Sequence, residues 1–304
     1  MIEAILLTVI TAATSLLLAA LGELVVERSG VLNLGVEGMM VVGAVSAFAA
    51  AQTTGSPYLG ILAGAAAGAA MALLFALLAI WLATNQVATG LALTLFGLGV
   101  AGLVGEAFVG LPGVKLPPIV LPVLADIPIL GPVLFAQDLL FYLSLALTVG
   151  VALFLFRSRS GLRLRAVGDA PASAHSLGIG VLQTRTLAVL FGGVCAGLGG
   201  AQLTLVYTTQ WIENITAGRG WIALALVVFA TWRPLRVVAG AYLFGAVTIA
   251  QFHAQALGIA VPSQLLSALP YLATITVLVI IASNRRFTMV NTPASLGQAF
   301  VPDR

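Results

Sequence analysis

Only one lysine and one cysteine occur in these 304 residues, and charged residues make up 8% of the chain. A soluble domain carries about 25% charged residues, so there is room here for loops and short tails but for no hydrophilic domain. The single cysteine, Cys195, excludes an internal disulfide and any cysteine-based metal site. Set in the run Gly193-Val194-Cys195-Ala196-Gly197, it reads as a packing residue. The single lysine, Lys115, follows Leu-Pro-Gly-Val, and no G-x-x-x-x-G-K-[ST] loop exists. H-E-x-x-H, paired cysteine ligands and a nucleophile elbow are missing too. The expectation is a chain that is not an enzyme, carries no metal or cofactor, and cannot hydrolyse ATP by itself. The pI near 9.4 comes from loop arginines, which signal orientation in a membrane rather than a nucleic-acid partner.

What is abundant is apolar surface: 61% of residues are hydrophobic and the mean hydropathy is +1.13. Ala4 to Gly22 is apolar and, at about 1.5 Å per residue, about 28 Å long as a helix, close to the thickness of a bilayer core. Met1 leads into it with Glu3 and no basic flank or cleavage site, so the run reads as a retained span. A short polar break, Glu23 to Gly30, follows. Val31 to Ala50 is apolar but interrupted by Asn33, Gly35, Glu37 and Gly38, and it either crosses or re-enters. Further spans are read at Leu59–Ala83, Val87–Gly105, Leu139–Phe156, Thr186–Thr208, Val237–Leu257 and Leu265–Ser283. Trp221 to Trp232 is about 18 Å as a helix and too short to cross alone. It must begin inside the membrane or continue through non-helical residues before Gly220. The fold class is therefore an all-α polytopic membrane protein of eight or nine spans, some discontinuous, forming one transmembrane domain over residues 1–304.

Glycines set four apart at Gly60, Gly64 and Gly68, and clustered at Gly192, Gly193, Gly197, Gly199 and Gly200, mark helix faces where a neighbour can approach closely. Residues 106–137 hold six of the 13 prolines, a density that excludes a regular spanning helix. That segment reads as a structured outer loop, either a linker or part of a docking rim for an external partner.

Residues 157–185 carry Arg157, Arg159, Arg163, Arg165 and Arg185 against one acid, Asp169. Short basic loops stay in the cytoplasm, which places this loop, the Arg233-Pro-Leu-Arg236 turn and the tail after Arg285-Arg286 inside. Asp169-Ala170-Pro171 reads as a cap followed by proline in a first turn, and Gly178 as a stop. The helix between them has about two turns, too short to stand alone. It is either a plain connector or a docking helix whose face Ala170, Ala174 and Leu177 enters a partner.

Ionisable residues at membrane depth suggest function, and they gather in two glycine-bearing breaks, Glu27 to Met40 and Glu213 to Ala225. One lies in each half of the chain, the mark of a pathway near the midplane built on an internal repeat. Asn33, Gly35, Glu37, Gly38, Glu213, Asn214 and Arg219 are the candidate pathway residues. Each has a plainer role: Glu37 pairs with Arg28 or Arg219, Asn33 caps the following half-helix, and Glu213 and Asn214 sit in an outer loop. Trp211 and Trp221 are interfacial anchors or a stacking platform, and His253 is a packing residue or a proton relay.

L-R-A-V-G-D-A-P-A-S-A-H-S-L-G-I, from Leu164 to Ile179, resembles the coupling loop of permease subunits of ABC importers in the branched-chain amino-acid, ribose and nucleoside permease superfamily. Pro171, Ala174 and Gly178 fall on the pattern, within a stretch that also holds Arg165, Gly168, Asp169, Ala170 and Leu177. The family's frequent Glu after the proline is Ala172 here. E-R-S-G-V-L-N-L-G-V-E-G-M-M and G-R-G-W-I-A-L-A-L resemble two further signatures of that superfamily, the first nearest its nucleoside and simple-sugar branch. The resemblance implies a permease in the cell (inner or plasma) membrane with a cytoplasmic C-terminus. It implies as partners cytoplasmic ABC ATPase subunits, a second permease chain (homologous or identical), an extracytoplasmic solute-binding protein and the lipid bilayer. It also implies a nucleoside or simple sugar as solute, with a branched-chain amino acid as the alternative. An ion-gradient-driven secondary transporter using Glu37, Glu213 or His253, and a non-transporting scaffold, are the readings from other classes.

Overall fold

The computed structural model describes residues 2–256 apart from 123 and 129, scattered positions between 268 and 279, and residues 291–302. The expected span Leu265–Ser283 and the Arg285-Arg286 pair lie largely or wholly outside the described residues. Eleven helices and one two-stranded ribbon make up the described chain. Seven helices are long and apolar enough to cross a membrane, and one apolar helix is shorter, in keeping with the expected eight or nine.

The first helix, α1 (Ile2–Arg28), is one unbroken rod. The polar break expected at Glu23–Gly30 is therefore corrected. Glu23 and Glu27 are good helix formers one turn apart, and the helix runs through them until Gly30 turns the chain at φ 87°. Helix α2 (Val36–Thr54) follows a short non-helical link and ends on Gly55 in the left-handed region. Helix α3 (Pro57–Ala76) runs on into a wider turn over Leu77–Trp81, and α4 (Gln86–Gly105) is capped by the Asn85 side chain.

The proline-rich segment forms no span. It folds into two short strands, β1 (Ile119–Val120) and β2 (Ala136–Gln137), paired antiparallel around the six-residue α5 (Leu130–Phe135). Ile10 near the start of α1 clusters with Val133 and Phe141, so the N-terminal end of α1 and this segment share one end of the molecule. Helix α6 (Leu139–Arg157), capped by Asp138, then returns to the opposite end. There α7 (Arg159–Asp169) and α8 (Pro171–Ser176) form the connection to α9 (Val181–Gln202), which widens over Leu203–Tyr207. Five crossings therefore precede this connection, and α2 crosses rather than re-enters. The short α10 (Arg219–Phe229) and the long α11 (Pro234–Ala256) follow.

Helix α9 is the hub, touching α1, α2 and α3 along its length. Lipid tails are as apolar as leucine, so helices in a bilayer gain little from hydrophobicity alone and associate by close packing of small residues. The glycine face read from the sequence makes these contacts. A Cβ on Gly43 would stand 2.5 Å from Gly197 Cα, and one on Gly22 would stand 2.5 Å from Cys195 Cβ.

A pair of substitutions tests this seam. In a helix Ala is favoured over Gly by roughly 0.5–1 kcal/mol, and a Cβ on Gly99 meets nothing within 4 Å. Gly99→Ala should leave the melting temperature of the purified protein unchanged or slightly raised. A Cβ on Gly197 would collide with Gly64 O and Ala65 Cα, so Gly197→Ala forces α9 from α3 and should cost about 1–3 kcal/mol, seen as a clear drop in melting temperature.

Candidate functional site

Beyond Tyr207 the chain cannot continue as helix. Thr209 (φ 51°), Asn214 (φ 55°), Ala217 (φ 45°) and Gly218 (φ 81°) all lie in the left-handed region. Three of these are not glycine, a concentration of strain that persists only where surroundings hold it. The outer segment supplies part of that hold: Gly113 N donates to Thr209 O at 3.0 Å, and Leu116 N to Leu205 O at 3.0 Å. Trp211 supplies another. It is buried against Gly105, which corrects its reading as an interfacial anchor; Trp221 is the exposed one of the two.

The break ends at α10, and here the two polar motifs of the sequence meet. Glu37 Oε1 accepts from Thr216 Oγ1 at 2.6 Å and from Gly218 N at 2.8 Å, and Oε2 accepts from Gly220 N at 2.6 Å. The carboxylate thus sits on the N–H groups that open α10, where the helix dipole favours negative charge. Gly220 is required, because a Cβ there would stand 2.6 Å from Glu37 Cα.

The far end of α10 is held by the same motif. Glu27 Oε2 accepts from Trp232 Nε1 at 2.6 Å, and Arg28 donates to Trp232 O at 3.0 Å. Thr231 and Trp232, both at positive φ, form the turn so gripped. A negative group at the start of α10 and a cation near its end complement the macrodipole at both termini. The expected ion pair of Glu37 with Arg28 or Arg219 is corrected: neither arginine meets it. The Arg219 guanidinium lies 4.7 Å from the Tyr207 ring centroid and donates to Ser15 Oγ at 3.4 Å.

Depth follows from the packing. Gly38 meets α4 at Leu93 and Thr94, about two turns from the start of that helix. Ser15 lies 13 positions before Arg28 on α1, about 20 Å along the axis. Glu37, Gly220 and Arg219 therefore sit well inside a layer whose hydrocarbon core is about 30 Å thick. Asn33 is buried and accepts from Gly35 N at 3.0 Å, which shapes the turn into α2. Gly35 and Gly38 are points of close approach to α4 at Gly90 and Leu93. Glu213 and Asn214 are exposed and apart from this cluster. His253 Nδ1 lies 3.1 Å from Ile249 O within its own helix.

At the opposite end of α6, helix α7 was missed by sequence reading. Its signal was Ser158, whose Oγ accepts from Gly161 N at 2.9 Å, ahead of Gly161, Leu164, Val167 and Gly168 on one buried face. Asp169 is the last residue of α7 rather than the cap of α8, whose first turn begins after Ala170 with no side-chain cap. Gly178 takes the expected left-handed stop at φ 79°. Ala174, expected to face a partner, is buried with Val167 and Val181. The expected docking face is corrected accordingly: Ala172, Ser173, His175 and Leu177 point outward, and Leu177 is 80% exposed.

Arg185 is likewise no free loop charge. It is buried in α9 and donates to Ser29 O at 3.2 Å, Gln298 O at 2.9 Å and Ser295 Oγ at 3.1 Å. Ser295 Oγ donates in turn to Gly168 O at 2.7 Å. A C-terminal stretch is thereby pinned beside α7, α8 and the Gly30 turn. Only long-range placement reveals this.

A family model for the permease component of branched-chain amino acid transport systems matches residues 5–282. The chain is 42% identical to a putative glucose ABC transporter permease of Haloferax volcanii, covering 96% of this chain and 95% of that one. It is 34% identical to a guanosine ABC transporter permease of Bacillus subtilis, covering 77% of each. It is 33% identical to a nucleoside ABC transporter permease of Lactococcus lactis, covering 87% of this chain and 88% of the other. No solved structure matches the chain.

The grip on α10 can be measured. Glu37→Ala leaves the N–H groups of Gly218 and Gly220 unpaired at membrane depth. Hydrogen bonds to a charged group contribute about 1.5–3 kcal/mol each, so the variant should melt well below the parent. Glu37→Gln keeps the shape and one acceptor oxygen and should fall between the two. Equal melting of all three would show that the carboxylate holds nothing.

Proposed function

The chain belongs to the permease-component family of branched-chain amino acid transport systems and is a transmembrane permease subunit of an ABC importer, and from that premise we propose that its solute is a nucleoside or a simple sugar. The observation that carries the transport reading is the broken α9–α10 connection, held open at membrane depth by Glu37. Non-helical backbone persists at that depth where it lines a cavity or is buried in protein. Asn33, Gly35, Glu37 and Gly38 form the scaffold of this site and Arg219 offers it a polar group, while Glu213 and Asn214 stand on the exposed chain that leads to it. These residues suit a neutral, hydroxyl-rich solute, and the ring of Tyr207 beside Arg219 offers a stacking face.

The whole chain acts as one permease domain paired with a second permease chain. The end carrying Arg157, Arg159, Arg163 and Arg233 faces the cytoplasm, and with it the C-terminal stretch pinned by Arg185. There Leu177 and its exposed neighbours dock into an ABC ATPase, supported from below by α7 and by the buried Ala174. At the opposite end the proline-rich segment, tied by hydrogen bonds to Thr209 and Leu205, receives an extracytoplasmic binding protein. ATP hydrolysis belongs to the separate ATPase subunits.

Two measurements test this. Chain alone in liposomes should move neither nucleoside nor glucose under a proton or sodium gradient; uptake would instead favour a secondary transporter. In the assembled complex, Leu177→Asp should lower recovery of the ATPase about tenfold, the effect of losing roughly 1.4 kcal/mol of apolar contact, with the melting temperature of the permease unchanged. Ala174→Glu should instead lower that melting temperature, because the charge is buried within the permease itself.

A further inference from the structure

Between α1, α6, α7 and α9 the molecule holds a cleft of about 740 Å³. Its walls are apolar: Leu143, Leu147 and Phe154 of α6 face Leu187 and Phe191 of α9, with Val25 of α1 among the lining residues. From Leu143 to Phe154 the wall runs about 16 Å along α6. That is half of a roughly 30 Å hydrocarbon core, the depth an acyl chain reaches from one leaflet.

The chemistry changes at one end only. Ser160 and Arg163 of α7 and Thr184 of α9 line the cleft there. Arg157, Arg159 and Arg163 are exposed, and the one acid on α6 and α7 is Asp169 at the last position of α7, six residues beyond Arg163. An apolar slot one leaflet deep, closed by a cation at headgroup level, is complementary to one class of molecule. We propose that this cleft binds an anionic diacyl phospholipid, one acyl chain lying between α6 and α9 and the phosphate against Arg163, Ser160 and Thr184. Basic pockets between membrane helices bind anionic headgroups for this reason. A lipid seated here touches α7, the helix on which α8 rests. The inference requires the membrane-spanning fold but no particular solute, so its outcome is independent of the transport reading.

The experiment is native mass spectrometry of the delipidated full chain, titrated with phosphatidylglycerol or with phosphatidylcholine of identical acyl chains. One phosphatidylglycerol should be retained per chain, about fivefold more tightly than phosphatidylcholine, the preference expected of one arginine near an anionic headgroup. Arg163→Ala should abolish that preference and leave phosphatidylcholine retention as it was. Gly150 lines the cleft, and a Cβ there meets nothing within 4 Å; Gly150→Phe should therefore fill the slot and reduce retention of both lipids without lowering the melting temperature. Equal retention of the two lipids by the parent chain overturns the proposal. So does a preference that survives both substitutions. Disulfide cross-linking of Gly150→Cys between two copies, with phosphatidylglycerol excluded, would assign the cleft to a second permease chain instead.

Discussion

At Gly218 and Gly220 the backbone N–H groups have no carbonyl one turn earlier to bond to, and the bilayer offers no water to take them. Glu37 does so, with both carboxylate oxygens. Without such a partner an eleven-residue helix could not begin in the middle of a membrane, since each unsatisfied group costs several kcal/mol there. The far end of α10 is held by Glu27 and Arg28. All three side chains come from one fourteen-residue stretch at the junction of α1 and α2. That stretch and the second polar motif, more than 170 residues later, form one structural unit.

The rest of the molecule brings these two stretches together. Helix α9 carries glycines toward α1, α2 and α3, and the backbones approach until no side chain fits between them. Such packing is short-ranged and stiff. The proline-rich segment then bonds to the strained turns after Tyr207, so a body docked on that face would press on the chain leading into α10. At the opposite end Arg28 reaches Asn291, and Arg185 joins the Gly30 turn to Ser295 and Gln298. Movement of α7 and α8 would therefore reach the base of α1 and the grip on α10 through contiguous bonded groups. That continuity is a physical route for coupling.

The two polar motifs were legible because ionisable residues are rare in apolar runs, and they stand out against them. What Glu37 does was not legible. A charge pair with Arg28 or Arg219 was the natural expectation, but the buried carboxylate meets backbone donors and Arg219 turns to Tyr207. Backbone N–H groups are the same at every residue, so no pattern of side chains reveals which of them lack a partner. Ala174 carries a similar lesson. Helical spacing put it on one face with Leu177, and the choice of which face turns inward came from Val167, Val181 and Phe300, residues outside the short helix.

By itself the sequence determined the class of molecule, a count of eight or nine spans with the second left open between crossing and re-entry, and the seams where glycine permits close approach. Those follow from local quantities: run length, charge density and the spacing of small residues. Tertiary structure alone decided that Glu27 grips Trp232, that Arg185 is a buried clasp for the C-terminal stretch, and that α10 hangs between Glu37 and the Glu27–Arg28 pair. Each of these depends on groups far apart in the chain meeting where water is absent, and a polar side chain's role in such a place is set by whichever unpaired group the fold brings to it.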